Sequence, residues 1–129
     1  AVEREPGNAL MHGLLGTLYY RLDEYDLASQ SFRLALNGGV TKEGAAVTPI
    51  ASDGGYTYIM YSSRFGIALA NLGQCSEALQ IAQKQTQLSA VDYLETAQIN
   101  SQVMIDTCRE VADSPVVTPS VEVTPTPGN

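Results

Sequence analysis

Between Asn8 and Arg21 leucines recur at three- and four-residue steps: Leu10, Leu14, Leu15, Leu18 and, just beyond, Leu22. That spacing lays them along one stripe and predicts a helix from about Asn8 to Arg21. A second helix is expected from about Tyr25 to Asn37, with Leu27, Ala28, Phe32, Ala35 and Leu36 facing inward. Gly38-Gly39 should stop it, because glycine tolerates the left-handed backbone at a helix end. Periodicity then fails across residues 38–55, which hold five Gly, one Pro and several Ser, Thr and Asp. Loops this long inside a compact chain are usually functional or interactive. Helical spacing resumes from about Tyr56 to Leu72. A turn at Gly73-Gln74-Cys75 leads to a fourth helix, about Ser76 to Leu88. Ser89 and Asp92 have the spacing of a capping box, which predicts the start of a fifth helix. Its stripe is Val91, Leu94, Ala97, Ser101, Met104, Ile105, Cys108 and Ala112. It should end near Asp113, since Pro115 disfavours helix in the residue before it. The class is all-α.

The first two helices and the next two form a repeat. Leu15-Gly16 and Phe65-Gly66 sit inside the helical pattern at an offset of 50, as do Leu22 and Leu72, and Ala28 and Ala78. Two copies of a helix-turn-helix unit, about 8–37 and 56–88, are therefore expected, with 38–55 inserted between them and a final helix at about 90–112. Residues 1–113 make one helical domain. Residues 114–129 change character: four Pro exclude a helix or a central strand. This tail is expected to be extended, near polyproline II, with a β-prone stretch at Val121–Thr124.

The first copy resembles a tetratricopeptide repeat. Leu15, Gly16, Tyr19, Ala28, Phe32 and Ala35 stand at that family's spacing, with His12 where the family often has Trp. In the second copy Gly66, Leu69 and Ala78 match, Phe65 takes the Leu position, and Ala82 replaces the large aromatic residue. The resemblance implies an α-solenoid with a C-terminal capping helix. It also implies a protein-interaction scaffold whose first helices line a concave groove for a peptide or partner. The matching face here offers Thr17, Tyr20, Arg21, Arg64 and Asn71 as partner candidates, and only Arg64 among them is a plausible anion clamp.

Composition narrows the chemistry. Seven Lys and Arg against 14 Asp and Glu give a net charge of −7 over 129 residues, with no basic cluster. Such a chain repels phosphate, so no nucleic-acid partner is expected. Its apolar runs are too short to span a bilayer, so no membrane insertion is expected. The single His occupies a packing position, and no Ser-His-Asp set, Cys-His dyad, metal cluster or phosphate loop can be assembled. No catalytic, cofactor-binding or metal-binding residue is assigned, and no enzyme activity is expected.

Under the repeat arrangement the third and fifth helices are parallel neighbours. Cys75 and Cys108 then lie near one another and can form a disulfide; the alternative is two buried free thiols. A disulfide would imply an oxidising compartment: extracellular, cell-surface or periplasmic. Thr118, Ser120, Thr124 and Thr126 lie at or near Pro, as in O-glycosylated stalks, and an unmodified linker is the equal alternative.

About three solenoid repeats are needed to bury a continuous core, and this chain has two and a half. Leu10, Leu14 and Leu18 are expected on the outer side of the first helix, where an apolar surface marks an interface. Other copies of the chain are the simplest partner, stacking head-to-tail into a fibre or surface assembly. The alternative is a scaffold that holds a peptide or partner in its concave groove.

Overall fold

A computed structural model describes residues 5–113, so the tail with Thr118, Ser120, Thr124 and Thr126 lies outside the described residues. The protein is mostly helical with little sheet. Its helices are α1 (Ala9–Arg21), α2 (Tyr25–Asn37), α3 (Tyr56–Asn71), α4 (Cys75–Leu88) and α5 (Leu94–Asp113). α1 begins where Asn8 caps it: the Asn8 Oδ1 accepts from the amides of Leu10 at 2.9 Å and Met11 at 3.4 Å. That side chain satisfies donors the first helical turn leaves free.

The two copies turn in the same way. The Glu24 amide donates to Tyr19 O at 2.9 Å, and 50 residues on the Gln74 amide donates to Leu69 O at 2.9 Å. The residue at the apex of each turn is left-handed: Asp23 with φ 59° and Gly73 with φ 79°. Asp is among the few non-glycine residues that accept that backbone.

Each helix packs on the next in sequence, α3 also packs on α5, and α1 meets α3 only sparsely. The main core gathers Ala28, Phe32, Ala35, Phe65, Ala68, Leu69 and Ala78, with Tyr61 and Cys108. A smaller cluster joins Tyr58, Ile59 and Ala97. Two glycines permit close crossings. A Cβ on Gly16 would stand 2.9 Å from the Phe32 ring of α2. One on Gly66 would run into Met104 of α5 and come within 3.3 Å of Ile81 in α4. Gly66 therefore serves the approach of α5 more than that of its own partner helix.

Three expectations need correction. The insertion 38–55 is not wholly irregular: β1 (Gly39–Val40) and β2 (Ala46–Val47) pair antiparallel, Gly39 opposite Val47 and Val40 opposite Ala46. Its far end is tied down, since the Ile50 amide donates to Ala35 O at 2.9 Å and the Ala90 amide donates to Gly54 O at 3.0 Å. Gly54 has φ 71°, and a Cβ there would collide with Leu88 O, so both backbone and space call for glycine.

Ser89, secondly, does not cap the fifth helix. It ends α4, and its hydroxyl turns back to Thr86 O at 3.4 Å. Ala90 instead heads a 3₁₀ turn, Val91–Tyr93, that runs into α5. Thirdly, several expected inward positions face out: Leu27, Val91 and Leu94 are all exposed. The core side of α1 is instead Ala9, His12, Gly13, Gly16 and Thr17. Those small and compact residues let α2 and Tyr61 come close, which the bulkier leucines would prevent.

Candidate functional site

The leucine stripe of α1 points away from the core. Leu10, Leu14, Leu18 and Leu22 are 48%, 55%, 54% and 64% exposed, at i, i+4, i+8 and i+12 on one face. The stripe rises about 18 Å along the helix at 1.5 Å per residue. Asn8–Tyr20 contains no Asp, Glu, Lys or Arg. Single exposed leucines are ordinary on a protein surface; four in line are not.

The predicted packing residues lie on the other side. His12, Gly16, Ala28, Phe32, Ala35, Phe65, Gly66, Leu69 and Ala78 are buried, and Leu15 and Tyr19 are half-buried. The His12 Nε2 donates to Pro6 O at 2.6 Å, which fixes the imidazole against the segment before α1. Phe32 meets Tyr61 with ring centroids 5.8 Å apart.

The predicted concave-face candidates are brought partly together, and two are occupied. Arg64 donates to the Thr17 hydroxyl at 3.1 Å, and that buried hydroxyl donates to Gly13 O at 3.0 Å. Asn71 donates to Ile67 O, one turn back in its own helix, at 2.9 Å. Tyr20 is half-buried; burial raises its phenol pKa, partly offset by the nearby Arg64 charge. Arg21 is exposed at the end of α1. Arg64 spends one of its donors on that neutral hydroxyl and forms no salt bridge among the described residues.

Cys75 and Cys108 form a disulfide, 33 residues apart in sequence. It fastens the C-terminal part of α5 to the start of α4. Toward the other end of α4, the helices α3, α4 and α5 are sewn together by Gln85, which is fully buried. The Gln85 Oε1 accepts from Ser62 at 2.8 Å and Ser63 at 3.3 Å. Its Nε2 donates to Ala97 O at 3.1 Å and to Ser101 Oγ at 2.9 Å. Ser101 passes the chain on to Ala82 O at 3.2 Å. A buried amide with every bond made is the condition under which a polar core group is tolerated.

Sequence reasoning missed this network. Its signal was Gln85 standing in phase with Ala78 and Ala82, and Ser101 within the apolar stripe of the last helix. It also missed Arg33, which spans from α2 to Glu77 of α4 in a two-pronged pair at 2.6 and 3.0 Å. The Arg33 guanidinium lies 5.1 Å over the Phe65 ring. The hydrogen bond from Arg33 lowers the Glu77 carboxyl pKa, against an opposing push from burial.

Among the described residues, two concavities can be named. One of about 160 Å³ lies among α2, α3 and α4, with Leu36, Tyr58, Phe65, Ile81 and Lys84 on its walls. The other, about 430 Å³, is an open groove between α4 and α5. Among the described residues, no group of His, Cys, Asp and Glu could hold a metal ion, and no helix is long and apolar enough to cross a membrane. Comparison with protein-family profiles, curated proteins and solved structures finds no match.

Proposed function

We propose that this chain is a non-enzymatic assembly unit of tetratricopeptide-like repeats that associates with copies of itself, stacked head-to-tail outside the cytoplasm. The observation that carries this reading is the uncharged, uncovered leucine stripe of α1. Leaving four leucines half in water forgoes about 25 cal/mol for each Å² that a partner would cover. The register shared with α3 supports the same reading: Ala68 is fully buried, while its equivalent Leu18 is 54% exposed. The disulfide supports an oxidising compartment, since such bonds persist outside the reducing cytosol.

Electron microscopy of the oxidised protein tests the proposal, with intact mass measured on the same sample. Filaments or rings are expected, and they should vanish in Leu14→Glu/Leu18→Glu, whose exposed positions leave the core alone. Compact single molecules at every concentration would overturn it.

A further inference from the structure

The stripe on α1 needs a receiving surface, and the groove between α4 and α5 has the matching chemistry. We infer that the α4/α5 groove of one copy receives the α1 leucines of the next, centred on Leu14 and Leu18. This rests on the self-association proposed above and names the surface that completes it.

Charge supplies the first argument. The chain carries −7, so two copies repel, and the repulsion is smallest where both contact faces are neutral. None of the side chains lining the groove is charged. Leu79, Ala82 and Ile105 are its apolar lining, and Gln83, Gln98 and Gln102 bring amides to it. Neutral amides cost far less to dehydrate than carboxylates and can bond again to the covering chain. α1 meets this with its own uncharged face, from Asn8 to Tyr20. The nearest charge to the groove is Asp106, which accepts from the Gln102 amide at 2.9 Å and pairs with Arg109, so the lining itself offers an apolar fit.

Size gives the second. From Leu79 to Thr86, and from Gln98 to Ile105, the groove runs seven residues, about 10 Å of helix. Leucines four apart stand about 6 Å from one another, so the groove seats two of the four. A helix face about 20 Å long and 10 Å wide is well below the ~800 Å² per partner of a stable pair. The single contact is therefore weak.

Position gives the third. α1 and α5 stand on either side of α3, which packs closely on α5 and meets α1 only sparsely. One copy can thus offer its stripe to one neighbour and its groove to another. A contact between two different surfaces repeats without limit or closes into a ring, and only in a ring is every copy held by two joints. A contact of two α1 stripes would stop at two.

Mixing two variants tests the inference. One is Leu14→Glu/Leu18→Glu, spoiling the stripe. The other is Leu79→Glu/Gln102→Glu, spoiling the groove at two exposed positions, with Gln102→Glu alone as a milder version should the pair fold poorly by circular dichroism. Mass is read by sedimentation at matched concentrations up to several hundred micromolar. Each variant alone should lose association at least tenfold, and the mixture should form pairs, joined by the one good stripe and the one good groove, and stop there. If the groove variants associate as the unaltered protein does, or the mixture fails to pair, the groove assignment is overturned while self-association stands. If the unaltered protein itself stays single, both fall.

Discussion

α1 and α3 occupy equivalent places in two copies of one motif, yet their surroundings differ. Ten of the 16 residues of α3 are buried, against five of the 13 in α1. The difference is one of neighbours. α3 has α2 on one side and α4 and α5 on the other; α1 has α2 and little else. The residues follow suit. Where α3 must admit a neighbour it carries Ala68, and where α1 has none it carries Leu18. The same repeat position is thus small where a helix packs over it and large where the surface is open.

The largest test of that contrast exchanges the two sides. Leu69→Ala, fully buried in α3, should destabilise by about 2–5 kcal/mol in urea or heat unfolding, through lost burial and the cavity left behind. Leu18→Ala on the open face should change monomer stability by less than about 0.5 kcal/mol. Equal effects would mean that the α1 stripe is covered within the molecule.

The staple of α5 comes next. Replacing Cys75 and Cys108 together by Ser should cost about 3–4 kcal/mol for a closed loop of 33 residues, read as a lowered melting temperature. The loss should fall on α5, seen as faster amide hydrogen exchange there than in α1 and α2. The Gln85 network is a smaller test of the same half. Gln85→Leu leaves Ser62 and Ser101 short of partners and should cost about 1–3 kcal/mol. Nothing in α1 or α2 should soften with it.

A small effect belongs to the tie between the halves. Glu77→Gln should cost under about 1 kcal/mol, because the pair with Arg33 is more than a third exposed on each side. The sign with pH follows from the depressed Glu77 pKa. Its contribution is present above the ordinary carboxylate range and is lost as pH falls through the lower folded value. An acid titration of stability should therefore be slightly steeper in the parent than in Glu77→Gln.

Much of this was legible from spacing alone. Helical periodicity located five helices, and Gly16 and Ala28 marked a close crossing, since only small residues fit one. Periodicity could not say which apolar face turns inward: on α1 the richer stripe is the outer one, and the core side is His12, Gly13, Gly16 and Thr17. Ser89 misled because its capping spacing is real while its hydroxyl is spent on Thr86 O. The α4/α5 groove lay beyond reach, since its residues come together only when two helices pack side by side.

The central claim is that α1 is one half of a joint between copies. Light scattering of the oxidised protein over a concentration series reads it directly. The account predicts a weight-average mass that climbs from 13.8 kDa past twice that value as concentration rises, and a flat line for Leu14→Glu/Leu18→Glu. A mass fixed at 13.8 kDa for the unaltered protein throughout would contradict it.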